Sequence, residues 1–119
     1  MLYKHNMSSS KEDLVFKALA HPRRRAILDC LKDAPQTTGA LCDMFPDTDR
    51  CTVMQQLKVL EAADLIIIRR EGRERWNHLN SIPIKRLHDR WISQYATHAT
   101  DVLDRLKSDL EYDLNGIAK

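Results

Sequence analysis

Up to Ala63 the apolar residues recur every three or four positions; at Leu65 that rhythm stops. Leu65-Ile66-Ile67-Ile68 is an apolar, largely β-branched run, Glu71-Gly72-Arg73-Glu74 has turn composition, and Arg75-Trp76-Asn77-His78-Leu79 returns as a second strand. One hairpin is therefore set into a chain that otherwise reads as helix. Only 3 Gly and 4 Pro among 119 residues argue the same way, against a loop-rich or all-β fold. The expected class is mainly α with a small β-hairpin, in the order of four helices, two strands and a last helix.

The helices are delimited by their caps and breakers. Ser10 can cap a first helix holding Leu14, Val15, Ala18 and Leu19. His21-Pro22 breaks it and starts a second, with Ile27, Leu28 and Leu31 inward and Arg23, Arg24 and Arg25 near its start; Asp33-Ala34-Pro35 ends it. His21 reads as a cap or hinge. Thr37 or Thr38 caps a short third helix with Ala40, Leu41 and Met44, closed by Phe45-Pro46. Asp47, Thr48 and Asp49 offer caps for a fourth, over 49–63, whose inward face is Val53, Leu57 and Leu60. After the hairpin, 66–79, Ser81 and Pro83 open a long helix ending near Asn115-Gly116, or a pair with a break near Thr97 to Thr100. Residues 1–10 are expected to be a disordered tail, 11–80 a compact domain and 81–119 a separate terminal helix.

The formal net charge is only +2, so a polyanion-binding surface would need its cations gathered on one face. Two places gather them. Opposite Leu57 on the fourth helix lie Cys51, Thr52, Gln55, Lys58 and Ala62, small or polar residues suited to base edges. Arg50 stands at that helix's start, where free backbone N–H groups already favour phosphate. Arg69, Arg70, Arg73 and Arg75 crowd the hairpin turn, where Glu71 and Glu74 interleave. Two short helices, a turn, a groove-sized helix and a basic hairpin make the winged helix-turn-helix order.

The chain resembles the ArsR-type winged-helix repressors over about Leu14 to Trp91. The resemblance is carried by Phe16-Lys17-Ala18-Leu19-Ala20-His21-Pro22-Arg23-Arg24-Arg25-Ala26-Ile27-Leu28, by Thr52-Val53-Met54-Gln55-Gln56-Leu57-Lys58-Val59-Leu60-Glu61-Ala62-Ala63-Asp64-Leu65-Ile66, and by Arg69-Arg70-Glu71-Gly72-Arg73-Glu74-Arg75, in that order. It implies a homodimeric repressor that reads a palindromic operator in double-stranded DNA and is released by an effector, a small molecule of unknown kind. Arg50, Thr52, Gln55, Gln56, Lys58, Arg69, Arg70, Arg73 and Arg75 are the expected DNA-contacting residues. Met54 and Gln56 depart from the serine and histidine common in the family's recognition helix, and Ala63-Asp64 replaces the common Ala-Gly.

Ile84, Leu87, Trp91, Tyr95, His98, Val102, Leu106 and Leu110 form a stripe too long for one small core to bury. Leu14, Ala18, Leu87, Trp91, Tyr95, Val102, Leu106 and Leu110 are accordingly expected at a two-fold dimer interface. A metal-responsive repressor using His88, His98 and Asp101 across the dimer is one alternative. A winged helix that binds protein rather than DNA is another. Against the metal, Leu41-Cys42-Asp43-Met44 holds one cysteine where the family's thiol site has two, and Arg86 stands where an acid is needed. Neither a metal nor a cofactor is expected. Cys30, Cys42 and Cys51 lack CxxC spacing and read as reduced cytoplasmic thiols; Cys51, beside Arg50 at a helix start, is a candidate for oxidation. No phosphate loop, nucleophile elbow or HExxH points to an enzyme, and no apolar run points to a membrane.

Overall fold

A computed structural model describes the backbone over residues 2–117 and the side chains over 10–114. In chain order the elements are α1 (Leu2–Leu19), α2 (Pro22–Leu31), β1 (Gln36–Thr37), α3 (Thr38–Met44), α4 (Arg50–Ala62), β2 (Ile66–Glu71), β3 (Glu74–Leu79), α5 (Ile82–Leu87), a π-helical turn (His88–Ile92) and α6 (Ser93–Ile117). They form two compact units that divide between Ile84 and Lys85.

In the first unit the apolar stripes of α1, α2, α3, α4 and the hairpin converge on one core. Val15, Ala18, Ile27, Leu28, Leu31, Leu41, Val53, Leu57, Leu60, Leu65 and Ile66 are buried there, with Cys42 and Phe45 packed against them. The local signals fix the helix ends. His21 is the N-cap of α2 and accepts the Arg23 N–H through Nδ1 at 3.1 Å. Thr37 caps α3 by accepting the Ala40 N–H at 3.1 Å. The end of α4 is a Schellman motif: the Leu65 N–H reaches the Leu60 carbonyl at 3.0 Å and the Asp64 N–H reaches the Glu61 carbonyl at 2.9 Å. Asp64 takes the left-handed conformation, φ 59°, in place of the usual glycine. Leu60 and Leu65, both fully buried, supply the apolar contact that accompanies this motif.

Three expectations change. The backbone is helical from Leu2, where disorder over 1–10 is expected; nothing between Leu2 and Leu19 is a glycine or proline, and serines are tolerated within a helix. Met1 lies outside the described residues. A two-residue strand, β1, pairs with β3 and makes the hairpin a three-stranded sheet of order β1-β3-β2. Such a short strand has no period to detect. The terminal segment is not broken near Thr97 to Thr100; its irregularity is the π turn, where the Ser93 N–H reaches the His88 carbonyl and Ser93 Oγ donates to the Asp89 carbonyl at 3.0 Å. α6 then runs past Gly116 to Ile117.

The second unit carries an exposed apolar stripe. Trp91, Tyr95, Val102, Leu106 and Leu110 each keep about half of their surface exposed, and the Trp91 and Tyr95 rings lie 5.0 Å apart. Among the described residues no helix is long and apolar enough to cross a membrane.

Candidate nucleic-acid interface

The fourth helix is held rigidly and presents its polar side outward. Its N-cap, Asp49, accepts the Thr52 N–H at 2.7 Å. That bond, then the Thr52 side chain and the Cys51 N–H, holds the Asp49 carboxyl below the ordinary carboxylate range, against a small upward push from burial. Val53, Leu57 and Leu60 anchor the opposite face in the core. Arg50, Cys51, Thr52, Gln55, Lys58 and Ala62 are exposed, so the helical wheel read from the sequence is the surface that forms.

Gln56 stands apart from that set. It is half-buried, and its Oε1 accepts from Nη1 of Arg24 at 2.8 Å. The same guanidinium donates to the Ala18 carbonyl through Nε and to the Lys17 carbonyl through Nη2, each at 2.8 Å. Arg25 adds a 2.6 Å bond to the Leu19 carbonyl, and Arg23 lies 5.0 Å above the Phe45 ring. The three arginines at the start of α2 thus cap the last turn of α1 and brace α3 and α4. Their place at the start of α2 is visible in the sequence but this work is not; three consecutive arginines beside a helix end that leaves carbonyls unpaired are the signal for it.

The hairpin is closed by a two-residue turn, Gly72-Arg73, with Gly72 at φ 64° in the first position. Its register pairs Arg70 with Arg75 and Glu71 with Glu74, like charge facing like charge. Such pairs destabilise a sheet when nothing neutralises them. Arg69, Arg70, Arg73 and Arg75 are all exposed, and among the described residues none makes a salt bridge or side-chain hydrogen bond. The interleaved glutamates therefore do not consume the positive charge of the turn. The base of the hairpin is pinned by Asn77, fully buried on β3, whose Nδ2 donates to the Gln36 carbonyl at 3.1 Å and to Thr38 Oγ1 at 3.2 Å. This tie between hairpin and α3 went unread in the sequence, although an asparagine amid apolar strand residues was a visible anomaly.

The remaining expected residues divide clearly. Leu14, Trp91, Tyr95, Val102, Leu106 and Leu110 are exposed, whereas Ala18, in the core of the first unit, and Leu87 are buried. Ala18 is lost from the expected interface because its small side chain lies on the face of α1 that enters the core. His88 Nδ1 lies 3.3 Å from Asp89 Oδ1, and Lys85 Nζ donates to Asp89 Oδ2 at 3.3 Å; His98 and Asp101 are exposed on α6. These two partners hold the Asp89 carboxyl below the ordinary range, His88 contributing most. Cys51 is exposed and Cys42 half-buried.

A helix-turn-helix domain family matches residues 19–69, from the last residue of α1 to the wing. The chain is 34% identical over 67 residues to the transcriptional repressor SdpR of Bacillus subtilis (strain 168), covering 56% of this chain and 73% of that protein. It is 31% identical over 90 residues to the HTH-type transcriptional regulator YuzN of the same organism, covering 71% of this chain and 98% of that one. Among solved structures, an ArsR family transcriptional regulator superposes with a TM-score of 0.68 at 26% identity, over 76% of this chain and 93% of the other. With its helix-turn-helix, exposed recognition face and basic wing, the chain belongs to the ArsR-type winged helix-turn-helix family of DNA-binding transcriptional regulators.

Proposed function

We propose that the chain represses transcription by binding a palindromic operator as a homodimer, with α4 in the major groove and the β2–β3 hairpin as the wing. The observation that carries the reading is the unneutralised charge of the hairpin: Arg70 faces Arg75 with no acid on either, next to the exposed Arg69 and Arg73. Phosphates supply the missing anions. On α4, Thr52, Gln55 and Lys58 project from the side opposite the core, and Arg50 stands at the helix start. The direction of regulation is taken from the relative named as a repressor. The exposed stripe Val102, Leu106, Leu110 on α6 supports pairing of two copies, because an apolar strip of that length is costly to leave in water. Its place of work is then the cytoplasm, with its duplex.

Footprinting of the region upstream of the chain's own gene tests this reading. The expected result is two protected patches on one face of the duplex, centred about 34 Å apart, one helical turn. Uniform cleavage at protein concentrations well above those of specific repressors would remove the operator reading.

A further inference from the structure

We infer that Arg24 is a positioning residue for sequence recognition: it fixes the amide of Gln56 so that this side chain offers the DNA groove a hydrogen-bond donor and not an acceptor. The inference rests on the operator reading above and adds a rule for one base position. Arg24 is held on all sides of its guanidinium, by the Lys17 and Ala18 carbonyls and by Gln56 Oε1, each at 2.8 Å. A guanidinium has five donors and no acceptor, so the only amide atom Gln56 can turn towards it is its oxygen. The NH2 group is then directed away from Arg24. It has no hydrogen-bond partner among the described residues and is not among the buried unsatisfied atoms, so it reaches solvent. Gln56 lies one turn beyond the exposed Thr52, on the same stripe of α4.

A glutamine with both amide atoms free reads adenine, accepting from N6 and donating to N7. Gln55, exposed and without a protein partner among the described residues, keeps that option. Gln56 does not, because its oxygen faces the protein. The bases that present only acceptors in the major groove are guanine, through N7 and O6, and thymine, through O4, apart from its methyl group. Two adjacent glutamines thus carry different base preferences, and the difference is imposed by an arginine that itself lies on another helix.

The test is selection of bound duplexes from a pool with randomised half-sites, using the full chain, Gln56→Glu and Gln56→Ala, with thermal midpoints recorded for each. Gln56→Glu keeps one oxygen on Arg24 and turns the other outward, replacing the donor by an acceptor. Wild type is expected to select guanine or thymine at one position of each half-site. Gln56→Glu is expected to shift that position alone to cytosine or adenine, by about tenfold in relative preference. Gln56→Ala, which leaves both carbonyl bonds of Arg24 in place, is expected to make the position indifferent while its neighbours keep their bases. The inference is overturned if Gln56→Glu selects the wild-type base throughout, or if the position made indifferent by Gln56→Ala is one where wild type selects adenine or cytosine. A wild-type chain that selects no duplex at all defeats the operator reading itself, an outcome distinct from either of these.

Discussion

Arg73 sits at the tip of the two-residue turn, exposed and without an acidic partner. If it contacts phosphate, Arg73→Ala weakens binding to every duplex alike and lowers the slope of log affinity against log salt by about 0.9. Gln55→Ala behaves differently: affinity for the operator falls while binding to unrelated DNA stays unchanged. Titrations of both variants at two salt concentrations separate the two roles. Asp64 offers a stability test. It holds φ 59° without the conformational freedom of glycine, and its carbonyl already accepts from Asn80 Nδ2 at 2.8 Å, so only the side chain need go. Asp64→Gly is expected to raise stability by about 0.5–1 kcal/mol in denaturant titration, the relief of the left-handed penalty net of glycine's entropy. Much at this scale was legible: Gly72 in the turn and the outward set on α4 follow from sequence neighbours. Gln56 was not, because its partner Arg24 is 32 residues away and only the packing of α2 against α4 brings them together.

The helices were readable because caps and stripes are local signals. Thr37, Asp49 and the α4 terminus all stand where the sequence indicated. What escaped is non-local or too short. β1 is two residues whose pairing depends on β3, far along the chain, and the π turn has no compositional mark. Asp49 gives a prediction about α4 as a unit. Its folded pKa is depressed, so the cap contributes fully above the ordinary carboxylate value and is lost as pH falls through the lower, folded value. Asp49→Asn retains a good cap that does not titrate. Thermal midpoints taken from neutral pH down through the carboxylate range should therefore fall more steeply for wild type than for Asp49→Asn; parallel curves would mean that the charge of the cap contributes nothing to holding the helix.

For the whole molecule, two features lack partners in one described chain: the arginines of the hairpin and the apolar stripe of α6. One explanation covers both, namely that two copies join through their terminal helices and meet a single duplex. The stripe was legible as a spacing of three and four over Ile84 to Leu110, but which of its members remain outside was not: Leu87 is buried. Replacing Leu106 and Leu110 together by aspartate leaves the core of the first unit untouched and should convert a dimer to a monomer by light scattering. The most direct measurement of the central claim is the mass, by sedimentation equilibrium, of the complex between the full chain and one copy of its protected upstream duplex. The account predicts two chains on each duplex for wild type and loss of that complex for the double aspartate variant. One chain per duplex, bound as tightly by the variant as by wild type, would contradict it.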